Sequence, residues 1–441
     1  MATLAMMPAL SETASTLTVP VPPVPKTIEE TGLSVDQLEQ LILKTMYGGE
    51  ATGHSIADHM RLPYAIIEPL IERARAQLLV EVRGASGSGT AGYRYLLTDL
   101  GRDRARQYLA ISQYAGAAPI PLTAYVAEMK ALREARGYVD RDRLTRGFTH
   151  LVVKESVLEQ VGPAVNAGKA VFLYGPPGNG KTVIAEGMGR TLGTDMYVPY
   201  AIDVDGHVVT VFDPVNHESL EDNAEVSNSV VAAVPRDRRW VRVRRPVVIV
   251  GGELTLDMLD LTFNSISKFY EAPLQLKANG GVFLVDDFGR QRMRPEDLLN
   301  RWIVPLESRV DYLTLHTGKK FQIPFDVLTV FATNLDPKSL ADEAFLRRIP
   351  YKIPIQDPSL AEFTQIFELN CKRRNLKFHE VLVEYLQRRH YDPVSRPFRA
   401  CHPRDLLDQI IALCRYRAIE PTITRELIDK ACETYFVDNE G

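Results

Sequence analysis

Four apolar runs with no polar alternation punctuate the chain between residues 170 and 332. They are Ala170 to Tyr174, Pro246 to Gly251, Gly281 to Val285 and Leu328 to Ala332. Runs of four to six such residues are the size of strands buried on both faces, as in a parallel sheet covered by helices. After the first run, Thr182 to Thr191 reads as a helix, broken only by two glycines. The first hundred residues show a helical period instead. Ser34 can cap a helix whose apolar positions Leu38, Leu41, Ile42 and Met46 lie on one face and which ends at Gly48-Gly49. A short helix around His54 to Met60 and a longer one from Pro63 to Ala76 follow, with Pro69 expected to kink the second or delay its start. Leu78 to Arg83 and Tyr93 to Leu97 read as two strands around the loop Gly84 to Gly92, and Leu100 to Ile111 as a closing helix.

Composition narrows the classes. The 441 residues are 45% hydrophobic, enough for two or three domains with real cores. No apolar run reaches membrane-spanning length, so membrane insertion is not expected. The formal net charge of −4 argues against a protein that coats nucleic acid. Cys371, Cys401, Cys414 and Cys432 show no paired metal-ligand spacing and read as reduced core thiols of a cytoplasmic protein. Residues 1–26, rich in Ala, Thr, Ser and Pro, are expected to be a disordered leader.

The chemistry starts where the first strand ends. Gly175-Pro176-Pro177-Gly178-Asn179-Gly180-Lys181-Thr182 sets a glycine-rich loop between strand and helix, so that backbone N–H groups can turn inward around phosphates. Lys181 would reach the β and γ oxygens, and the Thr182 hydroxyl would meet Mg²⁺. The run Gly281 to Val285 ends in Asp286 and Asp287, a pattern that puts Asp286 near the metal and Asp287 near an attacking water. Asn334, at the end of the run from Leu328, could orient that water, and Arg347 and Arg348 close a later helix. An arginine supplied across a subunit boundary stabilises charge on the transferred phosphoryl group. Arg404 stands near the start of a late helix.

In this order the parts resemble the AAA+ ATPase superfamily over about residues 148 to 437. The resemblance implies an α/β P-loop NTPase fold: a three-layer αβα core with a parallel sheet, an α-helical lid and, here, an N-terminal winged-helix-like domain. It implies Walker A at Gly175 to Thr182, Walker B at Asp286 and Asp287, sensor 1 at Asn334, an arginine finger at Arg348 with Arg347 as understudy, and sensor 2 at Arg404. ATP and Mg²⁺ are the implied cofactors, and a hexamer-type homo-oligomeric ring the implied assembly. The second Walker B acid is usually Glu; Asp287 is one methylene shorter, which puts fast hydrolysis in question. Ala272 to Gly281, the helix expected over Leu298 to Val310 and a hairpin over Asp311 to Pro324 turned at Gly318 resemble the branch holding the MoxR-like ATPases. The sigma-54 contact loop Gly-Ala-Phe-Thr-Gly-Ala is absent.

The expected organisation is a leader over 1–26, a winged helix-turn-helix-like domain over 27–112, a linker and helix over 113–147, the ATPase core over 148–354 and the helical lid over 355–441. Residues 27–115 hold nine Lys/Arg against eleven Asp/Glu, with Glu68 and Glu72 on the third helix, so a protein-docking role is favoured there over DNA. Between Walker A and Walker B, a hairpin is expected over Tyr197 to Phe212, turned at Asp205-Gly206. Arg236 to Arg245 carries six arginines around Trp240, which fits a subunit interface or charged edge strand, a nucleic-acid backbone, or an acidic partner. The expected function is a ring ATPase that remodels a protein client. A DNA-processing or transcription-regulating ATPase and a slowly hydrolysing nucleotide switch remain alternatives.

Overall fold

The computed structural model describes residues 19–85, 89–193, 195–220, 235–340 and 343–436. In it the four apolar runs become neighbours. β1 (Val171–Tyr174), β2 (Val247–Val250), β3 (Val282–Val285), β4 (Leu328–Thr333) and β5 (Tyr351–Pro354) join in the order β2-β3-β4-β1-β5, every pair parallel. Side chains alternate between the faces of each strand. Leu173, Leu284 and Val330 enter one hydrophobic layer with Val161, Ile184 and Met188. Phe172, Phe283 and Phe331 enter the other with Phe288, Trp302 and Phe325. Both faces are therefore apolar, which is why no polar alternation marks these strands in the sequence. This is the expected P-loop NTPase fold, a parallel sheet between two helical layers, and the helices Leu360–Arg373, Glu380–Leu386, His402–Tyr416 and Arg425–Tyr435 form the lid with their own core.

Ahead of the core, helices Val35–Met46, Gly53–Met60 and Tyr64–Ala76 pack on a small antiparallel sheet of Ala51–Thr52, Tyr93–Leu97 and Val80–Ala85. Ser34 accepts from the Gln37 N–H and Gln37 returns a bond to the Ser34 N–H, a full capping box. Pro69 neither delays nor interrupts its helix, which starts at Tyr64 and runs to Ala76 with Ile66, Ile67, Leu70 and Ile71 buried and Pro69 on the exposed face. The tip of the Gly84 to Gly92 loop, residues 86–88, lies outside the described residues.

Several expected elements take another form. The hairpin turned at Asp205 and Gly206 is confined to Ala201–Val204 and His207–Thr210. Asp195–Pro199 pairs instead with Trp240–Arg244, the arginine-rich strand. The helix expected from Leu298 to Val310 is two, Pro295–Arg301 and Ile303–Ser308, broken at Trp302, because Pro305 has no N–H to offer the Arg301 carbonyl and its ring crowds that carbonyl. Within the 113–147 linker, Ile120–Pro121 joins the sheet of the inserted hairpin beside Ala201–Val204, and Leu122–Ala135 packs on the same core. Residues 1–18 of the leader lie outside the described residues, but its last part departs from disorder. Pro22 and Pro25 are buried, and the Pro22 carbonyl accepts from the Asp237 N–H at 2.9 Å.

The arginine strip is used within the chain. Arg239 is buried against Asp237 and donates to the carbonyls of Thr31 and Pro119. Arg245 donates to the Gly280 carbonyl, and Arg238, Arg242 and Arg244 pair with Asp58, Asp195 and Glu218. These bonds tie the strip to the N-terminal unit and to the rest of the insertion, and its strand is not a sheet edge: Asp195–Pro199 pairs along one side, and on the other the Leu220 N–H donates to the Arg242 carbonyl and the Arg244 N–H to the Glu218 carbonyl. The hairpin Val310–Thr314 and Lys320–Pro324 forms as expected, and Lys319 beside its tip meets Asp205 of the inserted hairpin at 2.7 Å.

Candidate nucleotide site

β1, β3 and β4 end at the same edge of the sheet, and parallel pairing makes that inevitable: their polar residues must emerge side by side. β1 runs directly into the loop. Gly175 sits at φ 137, where a Cβ would meet the Ile355 carbonyl oxygen at 2.2 Å, so no other residue fits. Gly180, at φ 79, starts the helix Lys181–Thr191, whose free N–H groups and positive dipole end face the loop.

The side chains converge. Lys181 Nζ donates to the carbonyls of Gly175 and Pro176 at 2.9 and 3.0 Å and to Asn334 Oδ1 at 2.5 Å. Burial pushes its ammonium below the ordinary lysine value, while the Asp286 and Asp287 carboxylates oppose that shift. Thr182 Oγ1 donates to Asp286 Oδ2 at 2.7 Å, and Asn334 Nδ2 donates to Asp287 Oδ1 at 3.2 Å. Asp287 holds a left-handed backbone at φ 48, which turns its exposed carboxylate back over the sheet edge, and its N–H donates to Asp286 Oδ1. Strain of this kind at a sheet edge is common where a side chain must be aimed.

A cavity of about 790 Å³ opens above these groups, roomy enough for a nucleotide, and Pro177 to Ile184, Asp286, Asp287 and Asn334 line it together with Arg404 from the lid. Of the sequence candidates, Pro177 to Thr182, both acids, Asn334 and Arg404 therefore share one cavity, while Gly175 and Pro176 do not line it and accept from Lys181 through their carbonyls. Arg404 is tied to Asp405 at 2.7 Å. Arg347 and Arg348 are outside it: Arg347 is exposed, and Arg348 bonds Glu307 at 2.5 Å. Residues 341 and 342, at the start of the segment expected to carry them, lie outside the described residues.

Asn179, expected among the phosphate binders, lines the cavity, and its side chain bonds Asp357 and the Ala400 N–H of the lid. Two further cavity residues have no counterpart in the sequence expectations. Arg290, three residues past Asp287, and Arg373 of the lid line the cavity. Arg290 stands close enough to the acids that spacing alone could have flagged it. Arg373 had no such signal.

Fold and loop together define a P-loop nucleoside triphosphatase fold. Comparison with known proteins goes little further. A family model described as a domain of unknown function, DUF8689, matches residues 359–434, the lid. No curated protein matches the sequence. Among solved structures, the RuvB Holliday junction branch migration motor of Thermotoga maritima is 15% identical over 66% of this chain and 72% of its own, with a TM-score of 0.37. A point mutant of the same motor is 16% identical over 65% and 72%, with a TM-score of 0.38. Likenesses so distant say nothing of substrate, and the fold rests on the sheet order above.

Proposed function

We propose that this protein is a Mg²⁺-dependent ATPase of the AAA+ superfamily that works as a hexamer-type ring to remodel a protein partner. The observation that carries the reading is the single network joining Lys181, Asn334, Asp287, Asp286 and Thr182 at one sheet edge, under one cavity that a lid arginine also lines. In this reading the backbone of Gly175 to Lys181 cradles the phosphates, Lys181 holds the β and γ oxygens, Asp287 takes the proton from the attacking water and Asn334 orients that water.

The residues present fit Mg²⁺. Thr182 and Asp286 offer a hydroxyl and a carboxylate oxygen to one point, the hard donors this ion prefers. Among the described residues no cluster of three or more His, Cys, Asp or Glu side chains could hold a metal, so the triphosphate and water must complete the shell. The ion, when bound, neutralises charge on the β and γ oxygens.

A ring accounts for Arg348, with Arg347 beside it, lying outside the chain's own cavity: a finger serves a neighbour's site. A protein client is favoured over nucleic acid because the Arg236 to Arg245 strip is spent on internal partners and the exposed face of the third helix carries Glu72 paired with Arg75. No described helix is long and apolar enough to cross a membrane. A second reading, a nucleotide switch with slow turnover, draws on the short Asp287 side chain already engaged by Asn334. Steady-state phosphate release by the purified protein, with Lys181→Ala as the inactive control, tests both. Turnover supports the motor, tight ATP binding without turnover the switch, and no ATP binding defeats both.

A further inference from the structure

Asn179, within the phosphate loop, has a buried side chain whose hydrogen bonds go to the lid. Its Nδ2 donates to Asp357 Oδ1 at 2.6 Å, and its Oδ1 accepts from the Ala400 N–H at 3.1 Å. Asp357 also receives the Arg399 guanidinium, and the next lid residue but one, Cys401, donates its N–H to the Gly178 carbonyl at 2.9 Å. Contact here is as close as covalent geometry allows, since a Cβ on Gly178 would meet Cys401 Sγ at 2.6 Å. Asp357 marks the passage from β5 into the lid. Arg399 to Cys401 lead straight into the helix His402–Tyr416, which carries Arg404 to the cavity.

We propose that Asn179 is a positioning residue that latches the phosphate loop to the lid, so that any shift of the loop on nucleotide binding is passed to the helix His402–Tyr416 and to Arg404. This rests on the nucleotide site proposed above and adds the route by which that site moves the lid. The chemistry explains why an amide stands there. The amide donates to the carboxylate through Nδ2 and accepts from the backbone N–H through Oδ1, two functions on two atoms, whereas a carboxylate at this position could not donate. Burial raises the stakes, because an unmet partner is left without water.

The test uses the full chain in four forms: native, Asn179→Ala, Asn179→Asp and the exchange Asn179→Asp with Asp357→Asn. Affinity for a fluorescent ADP analogue, kcat for ATP, and hydrogen exchange in the helix His402–Tyr416 with and without ADP are compared. For Asn179→Ala we expect ADP affinity within about threefold of native, kcat down about tenfold and loss of the ADP-induced protection of that helix. Asn179→Asp, which sets two carboxylates together, should be worse, and the exchange should recover most of the response. A native kcat and native lid protection in Asn179→Ala, with ADP bound, would overturn the latch while leaving the nucleotide site standing. So would an exchange variant that binds ADP but recovers nothing. Failure of the native protein to bind ADP would remove the nucleotide site and the latch together.

Discussion

Thr182 Oγ1 and Asp286 Oδ2 lie 2.7 Å apart, although 104 residues separate them in sequence. The helix after the phosphate loop and the end of β3 thus meet at a single oxygen pair. If that pair holds Mg²⁺, Asp286→Ala should abolish the gain in ATP affinity that Mg²⁺ confers, leaving binding in EDTA little changed. Titration of a fluorescent ATP analogue with and without EDTA measures it, and an undiminished Mg²⁺ effect would remove Asp286 from the metal's shell.

Asp287 allows the charge to be removed without disturbing the backbone. Its φ of 48 lies in the left-handed region, which Asn tolerates better than almost any residue but Gly. Asp287→Asn should therefore fold and bind ATP as the native chain does, while kcat falls by about 10² or more through loss of the base. Equal losses in binding and turnover would instead mean that the site had been distorted.

How much of this was readable beforehand follows from where the information resides. β1, β3 and β4 were legible because burial on both faces leaves unbroken apolar runs, and the acids and Asn334 stand at their ends. The partnership of Asp195–Pro199 with Trp240–Arg244 was not, since local turn chemistry at Asp205-Gly206 suggests a longer hairpin and only tertiary packing assigns the arginine-rich strand its partner. The helix breaks at Trp302 although its apolar period continues through that residue, which packs among Phe283, Phe325 and Phe331: the period outweighed Pro305, which cannot bond the Arg301 carbonyl. The bond from Asn179 to the lid was not legible for a related reason: the loop pattern specifies its backbone, and Asp357, which its side chain meets, lies about 180 residues further on.

Arg239 joins three parts of the chain from a buried position, holding Asp237 and the carbonyls of Thr31 and Pro119. Arg239→Met would leave the Asp237 carboxylate buried and unpaired, at a cost of about 3–5 kcal/mol. The N-terminal unit should loosen from the insertion first, so limited proteolysis between residues 112 and 120 is the suitable readout in a chain of several domains. Adding Asp237→Leu should restore much of the resistance, because removing both charges is far less costly than removing one.

His402 makes the lid sensitive to acid. Burial, and then the neighbouring Arg399 and Arg396, push its imidazole down to about 4, against the weaker opposing pull of Asp405 and Asp357. Its Nδ1 lies 2.8 Å from the Tyr391 hydroxyl, at the first turn of a helix where a positive charge is disfavoured. The folded state thus resists a proton that the unfolded chain takes up near 6.5. The contribution is fully present above that value and is lost as pH falls toward 4. The lid's unfolding midpoint should drop between pH 7 and 5, and His402→Gln should flatten that part of the decline. An unchanged slope would mean that other groups govern it.

Arg348 decides whether the site is completed by a second subunit. Within its own chain it bonds Glu307 and does not line the cavity that holds Lys181, so its removal cannot weaken that cavity directly. If it acts on a neighbour's phosphoryl group, Arg348→Ala should keep ATP affinity while turnover falls by about 10³. Lys181→Ala should be inactive for the opposite reason, having a finger to offer and no site to use. Mixing the two must then create interfaces in which an intact cavity faces an intact Arg348, and activity should return in part, rising with the concentration of the mixture. Two inactive variants that stay inactive at every ratio, while still assembling, would show that each chain hydrolyses ATP alone or that Arg348 acts only within its own chain, as in its bond to Glu307.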